Sequence, residues 1–439
     1  MDTEKLKQKI LDLAIRGKLV PQDSNDEPAS VLIDKIREER EKLIKEGVIK
    51  ASKEESIIYK GTDNCYYEKK GNSIVNLIEK IPFDIPTTWD WCRLEFICSK
   101  IVDGDHNPPK GLNKKTDYLM LSAINIDEDD LCNFDRARYL DEDAFKIENK
   151  RTNIQKGDIL LTIVGTIGRS CIYNHEINIC FQRSVCVIST MIFNQYLKIV
   201  LDSPYIQNLM NYNSTGTAQK GYYLNQVNSL LIPIPPFAEQ KRIAYEYDKY
   251  KALLKKINES NAEISYLVNK TKEKILDSIF SNNSSYKSYY PSISINDVCK
   301  LDNGIELSIG KMPYLEAKFL RGLKEPRYVE QGIFIKKGTN IILVDGENSG
   351  EIMKPQCDGY MGSTFKILKI DASKINEDYI SLFILYKKQE LRESKTGSAI
   401  PHLNKKVFNS YEIPLPTIDI QIKIVKHIHN LFNVLDMIF

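Results

Sequence analysis

Leu6, Ile10 and Leu13 recur at spacings of four and three, the period of an amphipathic helix, and Gly17 supplies a stop. After the turn "VPQDSNDEP", the sequence predicts a second helix, capped by Asp26 with Pro28 in its first turn and ending at Gly47. Its face "REEREKLIKE" is almost wholly charged. Residues 1–50 thus read as an N-terminal helical segment, and the polar, irregular stretch 51–80 as a linker. From 81 to 236 the period changes. "DYLMLSAINI", "GDILLTIVG" and "SVCVIST" are short β-rich runs bounded by Gly, Asp and Asn, the mark of a mixed α/β domain. Residues 237–280 read as one long helix and 281–292 as a joint. Residues 293–416 return to the mixed pattern, and 417–439 form a last helix.

The two mixed regions align. "KGDILLTIVG" (Lys156–Gly165) faces "KGTNIILVDG" (Lys337–Gly346), and "TGTA" (Thr215–Ala218) faces "TGSA" (Thr396–Ala399) at the same offset. Leu224-Asn225 faces Leu403-Asn404 if a two-residue length change is allowed. The exits "IPIPPFAEQKRI" and "IPLPTIDIQIKI" restore the first offset, which holds through Gln240 and Gln421. In the long helix Ile243, Tyr247, Tyr250, Leu254, Ile257, Asn261, Ile264, Val268, Thr271 and Ile275 alternate spacings of four and three. That is a heptad seam with one polar position, Asn261, of the kind that fixes register. The same offset carries its first half onto Ile424, Ile428, Leu431, Leu435 and Ile438. "KEKILD" (Lys272–Asp277) reappears as "KQKILD" (Lys7–Asp12), so Leu6 and Ile10 repeat its second half. The expected fold class is α+β: two mixed α/β domains separated by long antiparallel coiled-coil helices, as a circularly permuted tandem repeat. The N-terminal segment completes the second helix.

Composition changes this picture little. The 439 residues are 42% hydrophobic and 27% charged, with a net charge of +2, a globular composition. No apolar run is long enough to cross a membrane, and "MDTEKLKQKI" has no signal-peptide core, so the expected compartment is the cytoplasm with no membrane partner. Nine scattered cysteines without a CxxC pair suggest neither a disulfide framework nor a zinc site. The small net charge counts mildly against nucleic-acid binding, but affinity depends on local clusters facing phosphates.

The start "LKQKILDLAIRGKLVPQDSNDEPASVLIDKIREEREKLIKEG", the domain entry "IPFDIPTTWDWCRL" and the exits "LLIPIPPFAEQKRI" and "EIPLPTIDIQIKI" resemble specificity subunits of type I restriction-modification systems, over essentially the whole chain. The resemblance implies two target-recognition domains, each reading half of a split sequence in double-stranded DNA. It implies helices that act as ruler and as docking surface for two DNA methyltransferase subunits, with an ATP-driven restriction subunit as an optional further partner. No cofactor is expected in this chain; S-adenosylmethionine and ATP would belong to the partners. A coiled-coil scaffold that holds protein partners without binding DNA is the alternative.

No catalytic constellation emerges. "HNPPK" (His106–Lys110) lacks the aromatic that would stack on a flipped base, and no cofactor-binding glycine motif precedes it. "GTIGR" (Gly165–Arg169) reads equally as a tight turn, and His427 and His429 diverge at i, i+2, so no metal is expected. Candidate DNA contacts are Lys, Arg and polar or aromatic residues on loops. They are Lys110, Lys114, Lys115, Arg169, Arg183, Lys220, Tyr222 and Tyr223 in the first domain. In the second they are Asn348, Lys354, Ser363, Lys405 and Lys406.

Overall fold

Short β-branched runs become strands throughout the computed structural model, which describes residues 2–50, 56–215, 220–281, 289–395 and 401–438. The chain divides into two units, Met1–Glu259 and Ser260–Phe439.

Unit 1 opens with α1 (Thr3–Ile15) and α2 (Ala29–Lys45), followed by β1 (Ser56–Lys60), β2 (Tyr66–Lys70), β3 (Ser73–Asn76), β4 (Asp90–Arg93), β5 (Cys98–Asp103), β6 (Tyr118–Leu121) and β7 (Arg138–Tyr139). Then come α3 (Glu142–Thr152), β8 (Ile159–Thr162), β9 (Ser170–Ile172), β10 (Asn178–Phe181), β11 (Val185–Thr190), α4 (Asn194–Asp202), α5 (Pro204–Asn213), α6 (Leu224–Asn228) and β12 (Leu231–Ile234). The long helix α7 (Phe237–Phe280) begins in unit 1 and ends in unit 2. One sheet has the order β5-β11-β8-β9, a second β10-β6-β7 with β10 and β6 parallel, and β12 pairs with β4.

Unit 2 continues with β13 (Ser292–Ser294), β14 (Cys299–Asp302), β15 (Glu306–Leu307), β16 (Met312–Leu315), α8 (Ala317–Leu320), β17 (Tyr328–Val329), β18 (Gly332–Ile335), β19 (Ile341–Leu343), β20 (Ile352–Met353), β21 (Gly359–Met361) and β22 (Phe365–Ile370). It closes with α9 (Glu377–Tyr386), α10 (Lys388–Glu393), α11 (Lys405–Asn409), β23 (Glu412–Pro414) and α12 (Ile418–Asp436). Its sheets repeat the first unit: β14-β22-β19-β20, β13 with β23, and β21 parallel to β16 with β17 beyond. The tandem repeat is therefore a repeat of topology as well as of sequence.

In each unit a helix runs antiparallel to one half of α7. Thr3 at the start of α1 bonds Asn258, while Gln22, beyond its end, bonds Glu239 at 2.5 Å. Ile10, Leu11 and Ala14 share a buried core with Trp89, Ile243, Tyr247 and Leu254. In unit 2 Asp436 pairs with Lys272, and the Lys272 ammonium lies 5.2 Å from the Phe432 ring. Earlier on α12, Ile424 and Ile428 pack with Leu276, Ile279 and Phe280. Val268 is buried as well. Tyr250, Ile257, Asn261, Ile275 and Leu435 are partly buried, and Leu6, Ile264 and Leu431 stand exposed. The seam is thus closed toward the two ends of α7 and open along its middle.

Three expectations need correction. Within the stretch expected to be an irregular linker, residues 56–76 instead fold into the antiparallel meander β1-β2-β3. Glu68 holds it by accepting both Arg93 Nε at 2.9 Å and Nη2 at 2.7 Å. Helix α2 begins after Pro28, which is its cap residue, and Asp26 instead forms a forked ion pair with Arg242 at 3.1 and 2.5 Å. Finally, no two-residue shift precedes α11. Tyr222 N donates to Ile163 O and Leu403 N to Val344 O, so Tyr222, not Leu224, matches Leu403. Among the described residues no helix is long and apolar enough to cross a membrane, and no cluster of His, Cys, Asp or Glu could hold a metal ion.

Candidate nucleic-acid interface

The candidate loops of unit 1 are joined by backbone hydrogen bonds into one continuous edge. Gln182 N donates to Leu121 O at 3.0 Å, and Arg183 N to Asp105 O at 2.8 Å. Ile163 N donates to Ser184 O at 2.9 Å, Gly165 N to Lys220 O at 3.1 Å, and Tyr222 N to Ile163 O at 2.7 Å. The lysine loop is anchored at Leu112, whose N–H donates to Tyr139 O at 2.8 Å, and at Pro109, whose carbonyl accepts Arg138 Nη1 at 3.2 Å. Gly104 is required here, because an added Cβ would stand 2.0 Å from the Phe181 carbonyl oxygen.

Along this edge Lys110, Lys114, Lys115, Arg169, Arg183, Lys220 and Tyr223 are exposed. Such a row of cations on loops can meet phosphates and base edges. Tyr222 does not belong to it. It is 3% exposed, and burial pushes its phenol up to about 12; it fills the core place that Leu403, 4% exposed, fills in unit 2. The "TGTA" and "TGSA" motifs lie almost entirely outside the described residues.

Unit 2 rebuilds the same edge with other side chains. Gly362 N donates to Leu315 O at 3.1 Å, Val344 N to Thr364 O at 2.8 Å, Gly346 N to Pro401 O at 2.7 Å, and Leu403 N to Val344 O at 2.8 Å. Each bond has its counterpart in unit 1. Ser363, Lys405 and Lys406 are exposed on this edge, the lysines in the first turn of α11 rather than on a loop. Two candidates are engaged elsewhere. Asn348 Oδ1 accepts Arg392 Nη2 at 2.8 Å, and Lys354 pairs with Asp378 at 2.6 Å. The hairpin bonds also match Arg169 to Glu351, since Thr162 N donates to Arg169 O and Leu343 N to Glu351 O. A cation in one copy is thus an anion in the other, there paired with Arg321.

Two residues escaped the sequence reading. Arg138 and Arg327 precede Tyr139 and Tyr328 on β7 and β17, at the same register of the two edges. The dipeptide Arg-Tyr in "RARYL" and "EPRYVE" was the available signal. Arg327 lies over the Tyr314 ring, 4.1 Å from its centroid. Burial pushes the Tyr314 phenol up, but the Ser363 N–H donated to its oxygen at 2.9 Å and the Arg327 charge outweigh this, for a net lowering.

Comparison with known proteins agrees with this two-copy architecture. Residues 129–266 and 290–438 match the family model described as type I restriction modification DNA specificity domain. The specificity subunit of the type I restriction enzyme EcoEI from Escherichia coli is 28% identical over 261 residues, 54% of this chain and 38% of that protein. The EcoAI specificity subunit, also from Escherichia coli, is 26% identical over 283 residues, 59% of this chain and 41% of that protein. The chain therefore spans less than half the length of these relatives. Among solved structures, a chain from work on complex assembly and conformational transition of the type I R-M system superposes with a TM-score of 0.57 at 18% identity. That likeness, which concerns the fold, covers 81% of this chain and 93% of the other. With each of its two repeated halves matched separately, the chain belongs to the type I restriction-modification DNA specificity family.

Proposed function

We propose that this chain is a DNA sequence-specificity subunit that reads a bipartite duplex target, one half-site per unit. One observation carries the reading: the same hydrogen-bonded edge occurs in both units, while the side chains it presents differ. A kept frame with changed side chains suits two recognition surfaces for two different half-sites. The exposed cations of the unit 1 edge suit phosphates, and the polar groups beside them suit base edges. Catalysis of methyl transfer, with S-adenosylmethionine, would belong to two methyltransferase subunits docked on the helices, and ATP to a restriction subunit. A cytoplasmic site of action goes with that assembly.

Duplex binding at several salt concentrations tests this. A DNA-reading subunit loses affinity steeply with salt, with a slope of about −0.9 per phosphate contact. A flat response, or no binding with methyltransferase subunits present, would leave the protein-scaffold reading in its place. Exchange of residues 293–416 for the equivalent segment of a relative should then change one half of the recognised sequence and leave the other intact.

A further inference from the structure

The strand register makes Arg138 and Arg327 equivalent, yet their surroundings differ. Arg138 lies opposite Met120 on β6, which is buried, and its guanidinium is engaged by the Pro109 carbonyl of the lysine loop. Arg327 lies opposite Tyr314, whose N–H donates to the Arg327 carbonyl at 2.7 Å. Its guanidinium rests on the Tyr314 ring and meets no carboxylate within ion-pair distance among the described residues. The ring is fixed in turn by the Ser363 N–H on its oxygen. Arg327 and Tyr314 line a concave pocket of about 340 Å³ with Glu316, Lys318, Lys324 and Ser363, and Lys324 is neutralised by Glu316 at 3.1 Å. From this pocket the backbone ladder runs on through Gly362 and Thr364 to Val344 and Leu403.

A guanidinium offers only donors, in a planar fork. In the major groove only guanine presents two adjacent acceptors, O6 and N7; adenine pairs an acceptor with a donor, and the pyrimidines present a single polar group each. A fork already held over a fixed ring loses little freedom on binding. We propose that Arg327, held over the ring of Tyr314, reads a guanine in the half-site taken by unit 2, and that Arg138 at the same place in unit 1 positions the lysine loop instead. This rests on the DNA-reading function proposed above.

The test uses the full chain together with the methyltransferase subunits of its own system, selected on a pool of random-sequence duplexes whose bound fraction is sequenced. The wild-type protein should yield a split motif. Arg327→Ala should lose the preference for one guanine in one half, by roughly 5- to 150-fold at that position. The other half and the spacer should not change. Arg327→Lys, which keeps the charge and can still donate to guanine but lacks the planar fork, should weaken the same preference by less than alanine does. Arg327 is exposed, so neither variant threatens the core. Either an unchanged motif or an equal loss of affinity over all sequences, the mark of a phosphate contact, overturns the inference alone. A wild-type selection without any motif overturns the DNA-reading function itself.

Discussion

Gln240 and Gln421 make the same two hydrogen bonds in the two units. Gln240 Oε1 accepts Phe193 N at 3.0 Å and its Nε2 donates to Pro235 O at 3.0 Å. Gln421 Oε1 accepts Asn376 N at 2.7 Å and its Nε2 donates to Pro416 O at 2.8 Å. Both side chains are fully buried. Each glutamine thereby ties the start of its long helix to the chain leaving the proline exit and to the residue before a core helix. Tyr196 and Tyr379 complete the clasp by donating to Pro233 O and Pro414 O.

Replacing either glutamine by alanine leaves a buried N–H and a buried carbonyl without partners, at a cost of about 1–3 kcal/mol. The effect should be local. In hydrogen exchange followed by mass spectrometry, Gln240→Ala should loosen amides around Phe193 and Pro235, and Gln421→Ala those around Asn376 and Pro416. Equal loosening of both units by either variant would show that the clasps do not act separately.

The meander of residues 56–76 depends on one buried carboxylate. Burial works against the Glu68 charge, but Arg93, the Ser56 hydroxyl and Lys70 overcome it, and its pKa falls to about 2. A depressed carboxylate stabilises the fold above its unfolded value near 4.5, and that stabilisation is lost as pH falls toward 2. Glu68→Gln breaks a forked pair and leaves Arg93 a cation without its partner, so a loss of about 2–4 kcal/mol is expected at pH 7. Urea melts of both proteins should converge as the pH drops below 4.

That meander shows where the sequence was opaque. Its strands mix lysine and tyrosine without clean alternation, and its anchor joins Glu68 on β2 to Arg93 on β4, 25 residues further on, a contact that no local pattern reveals. The long helix was legible because a heptad period persists along it, and the exits because proline and a following amphipathic helix are local signals. On the interface, the cationic loops could be read from composition. Tyr222 could not, because an aromatic beside lysine looks like a base-stacking group, and only the bond to Ile163 assigns it to the core. Arg138 and Arg327 were hidden because the repeats differ in length between β6 and β10, which breaks the alignment at that point.

Asp90 titrates in the opposite sense. Burial, assisted by the nearby Asp34, raises its pKa from 3.8 to about 6. A raised carboxylate contributes stability that is full below the unfolded value near 3.8 and lost as pH rises through about 6. At neutral pH the ionised group is a burden. Asp90→Asn should therefore be more stable than the wild type at pH 7, by about 1–2 kcal/mol after allowance for its partial exposure. The two should coincide near pH 4. Denaturant melts between pH 4 and 8 check this, and a variant that is weaker at pH 7 would show that the carboxylate accepts a bond that matters more than its burial.

The lysine loop of unit 1 offers a contrast with Arg327. Lys110, Lys114 and Lys115 are exposed, and none has an ion-pair partner within range among the described residues. The loop is held by its backbone at Leu112 and Pro109, so shortening the three side chains leaves its course intact. Charges of this kind attract phosphate without regard to sequence. The triple variant Lys110→Ala, Lys114→Ala, Lys115→Ala should weaken duplex binding evenly across sequences and make the plot of log affinity against log salt shallower, by roughly 0.9 for each lysine that meets a phosphate. The motif selected from random duplexes should not change. A changed motif would mean that the loop enters a groove and reads bases, and an unchanged salt slope that it faces away from the duplex.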